Sequence, residues 1–209
     1  MPEGTDFLYP FIEGDERDAD ALLVDLGRSA AAKAEESARL RSATLTRSRA
    51  DLDAAATAMA GAFAAGGRLF TFGNGGSSTD AASLATLFAR PPWGRALPAR
   101  GLVEDTAIVT ALGNDVGFEL VFSRQLIAHA GPADIAVGLS TSGSSRNLLA
   151  AFAEARGRGV LTIGLAGYDG GEMAASPDVQ HCLVWPATHG TFVMKEDSAE
   201  SPQLDGMEF

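Results

Sequence analysis

Two turns rich in glycine and serine hold most of the side chains in this sequence that could do chemistry. Residues 72–78 read FGNGGSS, and residues 139–145 read LSTSGSS. Each turn follows a short apolar run and precedes a helical pattern, so each offers backbone N–H groups and hydroxyl donors at the start of a helix. Together they predict a pocket for a phosphorylated small molecule.

The known nucleotide-binding motifs do not match the first turn. A dinucleotide fingerprint would need glycine at Ser78, and no acidic residue follows at the end of a clear second strand. A Walker loop is excluded because the sequence contains no Gly-Lys-Ser/Thr. One glycine-rich turn alone would be an ordinary tight turn, but two hydroxyl-rich turns at equivalent strand ends favour an anion site.

Composition and charge set limits on the class of protein. The chain has 209 residues, of which 46% are hydrophobic and 21% charged, and this suits one globular domain. The net charge of −11 argues against nucleic acid or an anionic membrane as a partner. Cys182 is the single cysteine, so no intrachain disulfide can form. With no basic leader and no apolar run long enough to span a membrane, the expected location is the cytoplasm.

The elements that must position the two turns follow an alternating pattern. Predicted strands cover residues 68–72, 100–103, 134–139, 160–165 and 181–184. Predicted helices cover residues 79–88, 117–130, 145–156 and 170–175. Alternation of this kind predicts the α/β class, with a parallel sheet flanked by helices. Ligands of such sheets bind beyond the carboxyl ends of the strands, where both turns lie.

The two ends of the chain differ from its middle. Residues 1–28 are predicted to be an acidic N-terminal extension, and residues 191–209 an acidic tail. The central domain spans residues 29–190 and opens with a helical pattern at residues 29–65. That pattern predicts one long N-terminal helix, or two helices with a break near residues 42–46.

Residues 45–186 resemble the SIS (sugar isomerase) phosphosugar-binding domain, and their motifs are similar to those of phosphoheptose isomerases. The motifs occur in order at residues 73–77, 113–118, 122–124, 140–143 and 169–173. The resemblance implies a single flavodoxin-like SIS domain with a five-stranded parallel sheet. It also implies a homodimer or homotetramer with pockets formed between subunits.

The resemblance implies specific roles for residues at the matching positions. The phosphate-binding residues would be Ser77, Ser140, Thr141, Ser142 and Ser145. Asn74 and Asp115 would contact the sugar hydroxyls, and Gly75 belongs to the same binding motif. Asp169 lies at a further matching position and is included among the substrate-binding candidates.

The sequence departs from the family at the positions that carry chemistry. Phosphoheptose isomerases bind zinc through a histidine and a glutamate on the helix after the first turn and a glutamine and a histidine on a final helix. Here Ser83 stands at the histidine position, Thr86 and Leu87 at the acidic positions, and no matching final helix follows. We therefore expect neither a metal nor a cofactor. His189 and Asp105 are the remaining candidates for an acid or base.

Three functions fit this pattern. The first is a phosphosugar-binding protein with a regulatory or accessory role, which has lost the zinc-dependent chemistry. The second is an active isomerase of sedoheptulose 7-phosphate or a related sugar phosphate that uses other residues. The third is a protein-interaction module of the replication-regulator type.

Overall fold

A computed structural model describes residues 19–185 of the chain. Contacts divide the chain into two units, residues 1–43 and 44–209, and the sheet belongs to the second. In chain order, the elements of the described range are α1 (Ala19–Arg47), α2 (Arg49–Ala64), β1 (Leu69–Gly73), α3 (Gly76–Ala89), β2 (Ala99–Gly101), α4 (Thr106–Asp115), a 3-10 turn (Phe118–Leu120), α5 (Val121–His129), β3 (Ile135–Ser140), α6 (Arg146–Gly157), β4 (Leu161–Gly167), α7 (Gly171–Ala175) and β5 (His181–Trp185).

All five strands form one parallel sheet in the order β2-β1-β3-β4-β5. This is the flavodoxin-like order, in which the chain adds strands on one side of β1 and then on the other. The predicted α/β class and five-stranded parallel sheet are confirmed. The direction changes between β1 and β3, so a crevice opens at their carboxyl ends.

Apolar side chains cover both faces of the sheet, as a parallel sheet flanked by helices requires. One face packs around three aromatic rings, with the Phe72 ring centroid 5.3 Å from the centroids of both Phe122 and Phe152. A Cβ atom at Gly138 would lie 2.6 Å from Phe152 and 2.7 Å from Phe72. Glycine at this position therefore lets β3 pack directly against the aromatic cluster.

The N-terminal helical region contains two helices, not one. α1 ends at Arg47, and Ser48 has a ψ of 13°, outside the helical range, before α2 begins. The two-helix alternative is the correct one, with its break just after the predicted interval. α1 also begins at Ala19, so the last part of the predicted extension, residues 19–28, is helical. The remaining predicted extension and the tail lie outside the described residues.

Helix α4 was not predicted from the sequence. Asp105 caps this helix by accepting a hydrogen bond from the Ile108 backbone N–H at 3.1 Å, and the partly buried Val109 and Leu112 pack against the core. An aspartate N-cap followed by apolar residues three apart was the available signal. As a result, Asp115 is the last residue of a helix and does not lie in a loop. Within residues 19–185, no helix is long and apolar enough to cross a membrane.

An ion pair between the half-exposed Arg68 and the buried Asp134 fixes the other ends of β1 and β3. The Asp134 carboxylate, 4% exposed, accepts hydrogen bonds from the Arg68 backbone N–H at 2.7 Å, from Arg68 Nη2 at 2.8 Å and from the Gly131 N–H at 2.9 Å. Burial acts to raise the pKa of Asp134, but these hydrogen bonds and the guanidinium charge outweigh it and hold the pKa below its ordinary value. The pair therefore sets the register from which the two strands run towards the turns.

Replacing Asp134 with asparagine should lower the free energy of unfolding at neutral pH by about 1–3 kcal/mol. Because the pKa is lowered in the folded state, the carboxylate stabilises the fold above its unfolded pKa, and this contribution is lost as the pH falls through the folded pKa. Urea unfolding should show the full deficit of Asp134→Asn at pH 7 and a smaller one below about pH 4. The exposed Asp51→Asn is the matched control, and an equal loss in both variants would contradict the role of the pair.

Candidate functional site

The first turn lies where β1 meets α3. A Cβ atom at Gly73 would lie 2.6 Å from the Ser77 carbonyl oxygen and 2.9 Å from that of Leu139, so only glycine lets the helix start this close to β1 and β3. Gly75 has a φ of 53°, a left-handed conformation that glycine adopts readily. Ser78 closes the turn by donating its hydroxyl to the Gly75 carbonyl at 2.6 Å. The N-terminus of α3 therefore opens into the crevice between β1 and β3.

The second turn lies where β3 meets α6. Ser140 accepts a hydrogen bond from the Gly143 N–H at 3.1 Å, and its Oγ lies 3.3 Å from the Ser145 Oγ. The Ser142 Oγ accepts from the Ser144 N–H at 3.3 Å and keeps its own proton to donate. The N-terminus of α6 therefore opens into the same crevice, lined with hydroxyl groups.

Side-chain amides join the first turn to the helix after the second. Asn74 Nδ2 donates to Asn147 Oδ1 at 2.9 Å, and Asn147 Nδ2 donates to Asn74 Oδ1 at 2.8 Å. Asn147 is 3% exposed. It is a polar residue on the buried stripe of α6 formed by Leu148, Ala151 and Phe152. That interruption of an apolar stripe was the sequence signal for Asn147, which the sequence analysis did not use.

The loop after β4 supports the second turn from behind. The Met173 N–H donates to the Gly143 carbonyl at 2.8 Å, and the Glu172 N–H donates to the Ser144 Oγ at 3.2 Å. Gly143 has a φ of 68°, and a Cβ atom there would lie 2.0 Å from the Gly170 carbonyl oxygen. Tyr168 is the only non-glycine residue with positive φ in the described chain, at 49°. The second turn is therefore held by close contacts with Gly170 and with the start of α7.

Two adjoining cavities open at this edge of the sheet. The first, which we call the phosphate cradle, has a volume of about 200 Å³ and is lined by Asn74, Ser77, Leu139, Ser140, Thr141, Ser142 and Ser145. The second, which we call the apolar cavity, has a volume of about 250 Å³ and is lined by Ser77, Asp80, Leu139, Ser140, Thr141, Leu165, Ala166, Gly167 and Trp185. The cavities share four lining residues, so one ligand can extend from one into the other.

None of the described residues that line the phosphate cradle carries a charged side chain. Its donors are hydroxyl groups and the backbone N–H groups at the starts of α3 and α6, which carry the positive ends of two helix dipoles. Ser77 and Thr141 have no hydrogen-bond partner for their hydroxyls among the described residues. Such an arrangement can bind a dianion by several neutral hydrogen bonds, and the polar ends of the two helices favour negative charge there.

The structure brings together six of the predicted binding residues, Asn74, Ser77, Ser140, Thr141, Ser142 and Ser145, as lining of the phosphate cradle. Gly75 shapes the first turn without lining either cavity. Asp115, at the end of α4, is exposed and accepts a hydrogen bond from Asn114 at 2.7 Å. Asp169 accepts from the Gly171 N–H at 3.1 Å. Neither aspartate lines the two cavities, and their substrate-binding roles stay predictions.

The two candidate acid–base residues have different outcomes. The Asp105 carboxylate is exposed and caps α4, so it already has a structural partner. His189 lies outside the described residues. The sequence analysis did not single out Trp185, which ends β5 and is half-buried beside Thr141 in the apolar cavity. An aromatic residue at the carboxyl end of a strand was the signal that could have identified it.

The described residues do not fit the zinc site that the family resemblance implies. Ser83 donates its hydroxyl to the Thr79 carbonyl at 2.9 Å, and Thr86 donates to the Ala82 carbonyl at 2.9 Å, so both hydroxyls bond to their own helix. Leu87 is an exposed apolar side chain. Within residues 19–185, no three histidine, cysteine, aspartate or glutamate side chains lie close enough together to hold a metal ion.

Comparison with known proteins agrees with this geometry. Residues 34–167 match the SIS domain family, and the chain belongs to that family. It is 45% identical to a phosphoheptose isomerase of Solidesulfovibrio magneticus over 77% of this chain and 78% of the relative. It is 43% identical to a phosphoheptose isomerase of Desulfovibrio desulfuricans over 79% and 78% of the two chains. The predicted resemblance to phosphoheptose isomerases is confirmed.

Solved structures show the same fold. The phosphoheptose isomerase of Neisseria gonorrhoeae superposes with a TM-score of 0.71 at 35% identity, covering 78% of this chain and 86% of that one. The phosphoheptose isomerase of Francisella tularensis superposes with a TM-score of 0.70 at 29% identity over the same shares. The described fold is therefore the one that these two phosphoheptose isomerases have.

Replacing Gly143 with alanine should lower the free energy of unfolding by roughly 2–4 kcal/mol, because the Cβ atom would meet the Gly170 carbonyl in a left-handed backbone conformation. Gly61→Ala, at an exposed position in the last turn of α2, is the control, where no atom outside the helix's own backbone lies within 4 Å of the new Cβ. That change should raise stability by up to about 1 kcal/mol. Thermal and urea unfolding measure both, and an unchanged Gly143→Ala would contradict the close backbone packing behind the second turn.

Proposed function

We propose that this protein binds a phosphorylated sugar in the phosphate cradle without the zinc-dependent isomerase chemistry of its relatives, and so has a regulatory or accessory role. The observation that carries the proposal is the convergence of five hydroxyl side chains and two helix N-termini on one cavity. A phosphate group carries oxygen atoms in several directions, and donors from two separate turns can reach more than one of them.

The neutral cradle suits a protein of net charge −11. A patch of arginine and lysine would attract every anion in solution, whereas hydroxyl and backbone donors at fixed positions select by geometry. The cradle alone is too small for a whole sugar phosphate, because small-molecule pockets usually exceed about 300 Å³. The sugar part would therefore extend past Ser77 and Thr141 into the apolar cavity.

The second cavity would take the carbon chain of the sugar. Asp80 can accept hydrogen bonds from sugar hydroxyls there, since it lies in the cavity lining and is exposed. The Trp185 ring offers a flat apolar surface against which the C–H face of a sugar can pack. This combination of one carboxylate and one aromatic ring is suited to recognising a polyol.

Moving a proton between neighbouring carbons needs a positioned acid and base. On α3, the positions that would supply metal ligands and a base hold Ser83, Thr86 and Leu87, and none of these side chains titrates near neutral pH. This difference is the reason for proposing binding without the family's isomerase chemistry. The names of the relatives favour the alternative, an active sugar-phosphate isomerase that uses other residues.

Phosphorus and proton NMR can separate binding without isomerisation from active isomerisation. The sample is sedoheptulose 7-phosphate with the purified protein, whose metal content has been measured. We expect the phosphate resonance to shift or broaden without new signals. Product resonances that grow with time would show an isomerase and overturn the proposed loss of chemistry. An unperturbed phosphate spectrum at millimolar ligand would exclude this sugar, and other phosphosugars would then be compared in the same assay.

The double variant Thr141→Ala/Ser142→Ala should weaken sugar-phosphate binding by about 100-fold or more. Each lost hydrogen bond to a charged phosphate oxygen costs roughly 1.5–3 kcal/mol. Isothermal titration calorimetry measures the loss directly. Ser83→Ala is the matched control: its hydroxyl bonds to its own helix and it lines neither cavity, so its affinity should equal that of the unmodified protein. Equal affinity of the double variant would place the phosphate elsewhere.

The tryptophan fluorescence should report the second cavity. The chain has two tryptophans, Trp185 in the apolar cavity and Trp93, which is 83% exposed. Adding sugar phosphate to Trp93→Phe should change the remaining fluorescence, because only the Trp185 ring lies at the site. Trp185→Phe should show no such change. A ligand-dependent signal that survives in Trp185→Phe would contradict the extension of the sugar into this cavity.

The predicted homodimer or homotetramer is part of the proposal. Phosphosugar pockets formed between subunits would explain why Asp115 and Asp169 match family motifs yet do not line the cavities of a single chain. Sedimentation of the full chain measures its assembly state. A monomer that still binds sugar phosphate with full affinity would remove the partner subunit from the site.

A further inference from the structure

Two asparagine side chains, Asn74 and Asn147, connect the two turns behind the phosphate cradle. Asn74 belongs to the first turn and lines the cradle, whereas Asn147 lies in the first turn of α6 and is buried. Their two hydrogen bonds, of 2.9 Å and 2.8 Å, join positions 73 residues apart in the chain. They are the only side-chain hydrogen bonds between the two turn regions within the described residues.

The reciprocal geometry couples the two amide orientations to each other. An amide offers two N–H donors and one carbonyl oxygen, and here each partner gives one donor and accepts one hydrogen bond. Rotating either amide by half a turn would bring oxygen against oxygen and N–H against N–H, so both bonds would be lost together. Asn74 therefore keeps one N–H and one lone pair for a ligand, at the edge of the cavity it lines.

We propose that Asn147 is a positioning residue, which holds Asn74 and the first turn at the separation from the second turn at which the donors of both converge on one phosphate. This rests on the proposed phosphosugar function of the cradle. Asn147 does not line the cradle, and among the described residues its side chain bonds only to Asn74. Without it, the first turn would have to be ordered each time a ligand binds, and the entropy cost would weaken binding.

The pair is better suited to this task than to stabilising the fold. Removing both partners of a buried hydrogen-bonded pair together costs little stability, because no polar group is left unpaired. An apolar residue at position 147 would continue the buried stripe of Leu148, Ala151 and Phe152. The hydrogen bonds to Asn74 in the first turn therefore explain why an asparagine stands on this apolar stripe.

A double-mutant cycle on binding tests the proposal, with inorganic phosphate and sedoheptulose 7-phosphate as probes. Asn147→Leu should weaken the binding of either probe by about tenfold. In an Asn74→Leu background the same change should alter affinity by less than about twofold, because Asn147 then has nothing to position. The proposal would be overturned if Asn147→Leu weakened binding equally with and without Asn74, or if Asn147→Leu kept full affinity.

Hydrogen exchange in the ligand-free protein gives a readout that does not depend on any ligand. Backbone amides of residues 74–78 should exchange faster in Asn147→Leu than in the unmodified protein, and those of β4 should not. Equal exchange at residues 74–78 would overturn the positioning role even if binding falls. The side-chain amide resonance of Asn74 should also move towards the position of an amide that is hydrogen-bonded only to water.

The same measurements distinguish failure of the proposed phosphosugar function from failure of the positioning role of Asn147. If the unmodified protein binds inorganic phosphate and no sugar phosphate, the phosphosugar proposal fails, and the cycle is still read with phosphate. If the unmodified protein binds neither, the cradle is not an anion site and the positioning role falls with it. Urea unfolding of each variant confirms that the comparison is made between folded proteins.

Discussion

Backbone pairing between β1 and β3 brings the site together. In this parallel pair Leu69 lies opposite Ile135 and Gly73 opposite Leu139, so the strands end side by side and the two turns face each other across one crevice. The crossover directions on either side of this pair diverge, which leaves the crevice open. The ion pair of Arg68 and Asp134 anchors the opposite ends of the same strands. Every donor in the phosphate cradle depends on that alignment.

The sequence predicted those parts of the fold whose signals are local. Short apolar runs ending in glycine and serine marked β1 and β3 closely. The hydroxyl groups named from the two motifs line the cradle because these motifs lie at strand ends, and their part in phosphate binding stays a prediction. α4 was missed because it is short and none of its residues is fully buried, so its apolar periodicity is weak. The break at Ser48 was placed slightly early, since no proline or glycine marks it.

What the sequence could not predict were contacts between distant segments. The Asn74–Asn147 pair joins two motifs that look complete on their own, and a single sequence gives no reason to pair their amides. The apolar cavity is lined by residues of β3, β4, β5 and the start of α3. Trp185 lines it because the sheet order places β5 next to β4. The lining of the cradle follows from position in a motif, whereas the lining of the apolar cavity depends on packing.

The cradle and the chemistry of the family depend on different parts of α3. The cradle uses the N-terminus of the helix, where Gly73 and Gly75 set the backbone and Ala81 and Ala85 pack against the sheet. Ser83, Thr86 and Leu87 lie on an exposed face, and their side chains hold no other element in place. Residues on that face can change without disturbing the strand ends. The hydroxyl groups of the cradle therefore stay where β1 and β3 put them, whichever side chains stand at these three positions.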